Sequence, residues 1–196
     1  MASSLLHIVV LLYILTSYRV TSFSNGKVQA ACFTMEPNHG TRAQTSPAPY
    51  NVTVSKTSYT NGERLTVTLS TNPGETSFKG FLIQARDNNN SALGMFEVSG
   101  SDVQTLQCTN AANTISHTSS DLKSSIHVTW VAPDSNVSDI QFRTTVVQQG
   151  NTYWLNVPSP KLTYTSSRGC RTLVSDALPV ALWCIMLLMC ALPAIL

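Results

Sequence analysis

From Tyr50 onward the chain alternates apolar and polar residues over short stretches broken by turn-forming residues. Val52 and Val54 alternate with Asn51, Thr53 and Ser55, and Leu65, Val67 and Leu69 alternate with Thr66, Thr68 and Ser70. A period of two places every second side chain on the same face, so each run predicts a strand with one buried face. Thr60-Asn61-Gly62-Glu63 and Asn72-Pro73-Gly74 supply the turns between them. Phe81-Leu82-Ile83 is continuously apolar, as a central strand covered on both faces would be. Ile126, Val128 and Trp130 point one way, His127 and Thr129 the other, and residues 140–147 and 153–157 complete the set. Helical periodicity is absent. The pattern predicts an all-β, immunoglobulin-like antiparallel β-sandwich of about 7–9 strands. The order Cys32, Cys108, Trp130 differs from the Cys…Trp…Cys order of antibody domains, so the likeness is one of architecture. Residues 26–48, with Pro37, Gly40 and Pro47 and with Pro49 just beyond, predict an irregular arm.

The two ends change the picture. Residues 5–15 form an apolar run too short for a bilayer, which takes about 20 residues, and Val20-Thr21-Ser22 follows with small side chains. A signal peptide over residues 1–23 is expected, and a folded domain over 24–165. At the other end residues 179–196 carry no charge. Ser167-Arg168-Gly169 and a polar spacer over 166–177 precede that run, which fits a glycolipid-anchor signal with Ser167 as the candidate attachment residue. Ser166 and Gly169 are further candidates for attachment. A retained transmembrane helix over 178–196 is the alternative. Either way the expected location is extracellular, secreted or attached to the outer face of the plasma membrane.

Charge and cysteine content narrow the function classes. Only 11% of the chain is charged, and residues 24–165 hold nine Lys plus Arg against nine Asp plus Glu. A nucleic-acid partner would call for a basic patch, so none is expected. Cys32 and Cys108 are the two cysteines of that segment, and in an oxidising compartment such a pair predicts a disulfide. It would close a loop of about 75 residues, worth roughly 4–5 kcal/mol in the chain-entropy model, and pin the arm to the sandwich. Asn51, Asn89 and Asn136 each begin an N-glycosylation sequon.

Catalytic signatures are scarce. The chain has no Gly-rich phosphate loop, no His-Glu-x-x-His and no Gly-x-Ser-x-Gly, so neither an enzyme nor a cofactor is expected. His39, His117 and His127, with Glu36 or Asp121, match no metal-ligand spacing, and no metal site is expected. Tyr50, Tyr59, Phe96, Tyr153 and Trp154 read as core, although alternation through Tyr153-Trp154-Leu155 turns one side toward solvent. Lys79, Arg86 and Arg143 read as members of a solvated face.

Several stretches together resemble a known family. These are Ser24-Asn25-Gly26, Cys32, Asn38-His39-Gly40, Phe78-Lys79-Gly80-Phe81-Leu82-Ile83-Gln84-Ala85-Arg86, Cys108, Ser116-His117-Thr118-Ser119-Ser120, Val128-Thr129-Trp130-Val131-Ala132-Pro133, and Phe142-Arg143-Thr144-Thr145-Val146-Val147-Gln148. In this order they resemble the reeler (reelin N-terminal-like) domain across residues 24–164. The resemblance implies a β-sandwich with a Cys32–Cys108 bridge. It also implies a role like that of the insect defense proteins: a non-enzymatic module of innate immunity binding microbial surface glycans or lipids. Two alternatives stand beside it. One is a cell-surface adhesion protein binding host surface or matrix chains. The other is an accessory domain related to ferric-chelate reductases and lacking reductase activity.

Overall fold

The computed structural model describes residues 23–110 and 112–166. The expected signal peptide, apart from Phe23, the anchor candidate Ser167 and the C-terminal apolar run lie outside the described residues. Among those described, no helix is long and apolar enough to cross a membrane.

Four strands form the first sheet: β1 (Tyr50–Val54), β3 (Arg64–Thr71), β5 (Met95–Glu97) and β8 (Ser125–Val131), in the order β1-β3-β8-β5. Their register follows from the period-two pattern. Leu65 pairs with Trp130, Val67 with Val128 and Leu69 with Ile126, so the apolar residues of neighbouring strands share one face. The second sheet contains β4 (Gly80–Arg86), β6 (Val103–Leu106), β7 (Thr114–His117), β9 (Gln141–Gln149) and β10 (Thr152–Pro158), in the order β10-β9-β4-β7-β6. All pairings within these two sheets are antiparallel. A small parallel pair of β2 (Ser58–Tyr59) and β11 (Thr163–Tyr164) lies outside them.

The inner faces of the two sheets share one core. Trp130 is its centre, fully buried, with Tyr59 and Phe142 meeting it edge-on at 5.8 and 5.3 Å. Its indole N–H donates to the Leu93 carbonyl at 3.1 Å, which removes the cost of burying that donor. Gly94, at φ +68°, permits the close approach: a Cβ there would stand 2.5 Å from the indole nitrogen. Tyr50, Tyr59, Phe96, Tyr153 and Trp154 are all buried.

The second sheet is covered on both sides, and here the structure corrects the expectation for Arg86. Every residue of β4 is buried. The outer face of that strand carries Leu82, Gln84 and Arg86, and the arm lies over it. Arg86 is therefore only 5% exposed rather than part of a solvated face. Tyr153 and Trp154 do point to opposite faces, but neither side meets solvent. Trp154 packs edge-on against Tyr50 in the core at 5.5 Å, while the Tyr153 hydroxyl donates to the Thr41 carbonyl of the arm at 2.7 Å. The described residues up to Thr165 form a compact unit holding both sheets, the core and the disulfide. A complete core is the condition for a segment to fold alone, and the described residues up to Thr165 contain one.

Candidate functional site

The arm is irregular because its sequence supplies prolines and small residues instead of a repeating pattern, leaving its backbone groups to find partners in the sheet beneath. Cys32 and Cys108 are joined, with Cα atoms 5.5 Å apart, which fixes the arm beyond the end of β6. Arg86 holds the same turn. Its guanidinium donates to the carbonyls of Cys32 at 2.8 Å and Phe33 at 3.0 Å, to Gln84 Oε1 at 2.7 Å and to Asn90 Oδ1 at 2.8 Å. Burial pushes its pKa down, as does the neighbouring charge of Arg143, yet the planar fork of donors is satisfied by neutral oxygens. Gln84 adds an amide bond to the Cys32 carbonyl at 3.1 Å and another to Thr114 Oγ1 at 2.8 Å.

Farther along, Thr145 Oγ1 donates to the Met35 carbonyl at 2.5 Å, and the Met35 side chain is buried against Leu82 and Leu106. Val28, Ala31 and Cys108 pack on this small second cluster. The arm then crosses β10, where the Gln44 amide donates to the Tyr153 carbonyl at 2.8 Å and the Trp154 indole to the Ser46 carbonyl at 3.1 Å.

Between these fastenings the arm and the sheet enclose a cavity of about 390 Å³. Its roof is made by Val28, Ala30, Ala31 and Met35, its floor by Gly80, Leu82, Thr145 and Val147, and Phe23 and His117 wall one side. Lys79, Glu36 and His39 also line it, the first two exposed. Pockets of this size, mostly apolar with a few polar groups, are those that take small ligands.

His117 is built into the wall. Its ring lies on Gly80, where a Cβ would come within 3.0 Å of Cε1. Nδ1 lies 3.2 Å from the Phe81 N–H and 3.3 Å from the Phe81 carbonyl oxygen, accepting from the first when it is unprotonated and donating to the second when it carries the proton. Burial is the main cause lowering the His117 pKa, helped by the charges of Lys123 and His39. Hydrogen bonds to the backbone of Phe81 and Phe23 oppose it. Gly26, at φ +66°, seats the N-terminal turn on the end of β7, since a Cβ there would lie 1.8 Å from the His117 carbonyl oxygen. Gln104 ties both together, its amide donating to the carbonyls of Asn25 at 2.5 Å and His117 at 2.6 Å. Lys123, 6% exposed, closes the adjoining loop by donating to the carbonyls of Ser119 at 2.9 Å and Asp121 at 2.8 Å.

The structure thus brings His39, His117 and Glu36 to one cavity, but not His127. That residue lies on the outer face of the first sheet, within 2.9 Å of Thr68 Oγ1. Asp121 belongs to the loop closed by Lys123. Among the described residues no group of three His, Cys, Asp or Glu side chains comes together in a way that could hold a metal ion. Asn51, Asn89 and Asn136 are all exposed. Arg143 is half-buried and donates to Asn90 Oδ1 at 2.7 Å. The cavity itself escaped sequence reasoning. Its only trace is the apolar series Val28, Ala30, Ala31 and Met35 inside a stretch otherwise read as irregular.

Most of the arm, the bridged cysteines and the sandwich fall within a single family match, because the reeler domain model covers residues 30–169. The chain belongs to the reeler domain family. A putative ferric-chelate reductase 1 of Danio rerio is 41% identical over 162 residues, which is 80% of this chain and 28% of that relative. The chain therefore spans little more than a quarter of the length of that reductase. Defense protein l(2)34Fc of Drosophila melanogaster is 35% identical over 140 residues, 69% of this chain and 85% of the relative. The crystal structure of the human F-spondin reeler domain shares the fold, with a TM-score of 0.54 at 19% identity over 64% of this chain and 94% of that one. As a reeler domain, the chain has a β-sandwich of two antiparallel sheets, and its own cavity lies outside that sandwich, under the arm.

Proposed function

We propose that this reeler domain is a non-catalytic extracellular recognition module of innate defence that binds microbial surfaces. The observation that carries the reading is its extent: the matched region accounts for 85% of the Drosophila defense protein and for 90% of putative defense protein 3 of Antheraea mylitta. The geometry supports it by offering a ligand-sized, largely apolar cavity with a polar rim. The domain is secreted or held at the outer face of the plasma membrane, through Ser167 or a membrane helix, and carries glycans at Asn51, Asn89 or Asn136. Its ligands are surface glycans or lipids of microbes.

The test is a pull-down of the 24–165 fragment with live bacteria, fungal wall glucan and host cells at physiological salt. Binding to microbes above that of an unrelated β-sandwich is the expected result. Binding to host cells alone moves the protein to the adhesion class, and binding to nothing overturns the defence reading. A second reading has its own support. The 41% identity to part of a ferric-chelate reductase favours an accessory domain of that kind. Co-purification with a membrane reductase, without microbial binding, is its signature.

A further inference from the structure

We propose that the cavity beneath the arm binds one alkyl chain of an anionic amphiphile of the fatty-acid class, with the head group at the rim beside Lys79. The inference deepens the recognition reading and rests on it for biological meaning, though not for its chemistry.

Three observations point to this occupant. The first is the lining: Val28, Ala31, Met35, Leu82 and Val147 present hydrocarbon on the roof and floor. At about 30 Å³ per methylene-sized group, close to the share of a water in the liquid, about 390 Å³ holds on the order of a dozen such groups. The second is a cation at the rim. Lys79 is exposed and has no ion-pair partner among the described residues. Glu36, the one carboxylate of the lining, lies 3.4 Å from the Tyr153 hydroxyl, whose proton goes to the nearer Thr41 carbonyl. The third is a polar group left over: His39 Nδ1 is shielded from water and has no hydrogen-bond partner. A buried polar atom without a partner is costly, and a carboxyl or hydroxyl head group supplies one.

The rim is apolar beyond the cavity as well. Leu122, 67% exposed, stands two residues from the lining residue Ser120 and covers the first methylenes of a chain as it leaves the cavity.

The experiment is calorimetric titration of the 24–165 fragment with dodecanoate, dodecyl maltoside and butyrate. Dodecanoate is expected to bind at one site, dodecyl maltoside more weakly, and butyrate not at all. Ala30→Trp, at an exposed roof position, fills the cavity and should weaken dodecanoate by roughly tenfold. Lys79→Gln should weaken dodecanoate by about threefold and leave dodecyl maltoside unchanged, whereas Glu36→Gln should tighten dodecanoate. Thermal unfolding midpoints equal to wild type show that these variants are folded. No binding of dodecanoate, or binding that Ala30→Trp leaves intact, overturns the site. Equal loss of both long-chain ligands in Lys79→Gln overturns the head-group assignment. Displacement of dodecanoate by lysophosphatidylglycerol assigns the chain to a membrane lipid, and its failure assigns it to a free acid; both support the site. A fragment that binds microbes but not dodecanoate keeps the recognition reading and loses the cavity. The reverse result keeps the cavity and loses the recognition reading.

Discussion

Arg86 shows how one side chain organises the ground around the cavity. Four hydrogen-bond acceptors from three separate segments converge on its guanidinium. Replacing it by leucine leaves the carbonyls of Cys32 and Phe33 without their donor, and a loss of about 3 kcal/mol in chemical denaturation is expected. Arg86→Lys should not restore it, because one ammonium cannot span the same fork. A cost below about 1 kcal/mol for either variant would show that water replaces the guanidinium. His117 makes a different prediction. Its pKa in the folded chain is lowered from the ordinary 6.5, chiefly by burial, so the unfolded chain takes up the proton first as pH falls. The stabilisation is complete above pH 6.5 and is lost as pH drops through that value toward the lowered folded one. The unfolding midpoint should fall between pH 7 and 5, and His117→Gln should flatten that slope. An identical slope in the variant would remove His117 as its source.

At the scale of elements, the arm and the second sheet depend on each other. The strands of the sandwich already share their core, whereas the arm contributes a small cluster of its own centred on Met35. The Cys32–Cys108 bridge holds that cluster in place across 76 residues of sequence. Cys32→Ser with Cys108→Ser should cost about 2–5 kcal/mol. The loss should appear first in the arm, as faster amide exchange at residues 28–36 than in β3 and β8. Equal protection of arm and sheet in the reduced protein would mean that Arg86 and Thr145 suffice to hold the arm. Strand positions were legible from alternation, since Leu65, Val67 and Leu69 have only one apolar face to bury. Arg86, placed on a solvated face, was misjudged for a related reason. Alternation assigns a residue to a face, but not what lies over that face.

At the scale of the molecule, the sandwich and its arm share one chain segment and one bridge. The 24–165 fragment should unfold in a single transition, with Trp fluorescence and far-UV circular dichroism coincident. Two separated transitions would show the arm to be an independent layer. The amino-acid sequence by itself determined the strand pattern, the all-β class and the family. These depend on local periodicity and on ordered short motifs. Only the tertiary structure decided that the outer face of β4 is a second buried layer, that His39 and His117 border one cavity while His127 does not, and that Arg86 is interior. The physical reason is that an irregular arm carries no period. Where it lies is set by hydrogen bonds and packing to residues up to 117 positions away, and no window of the sequence contains them.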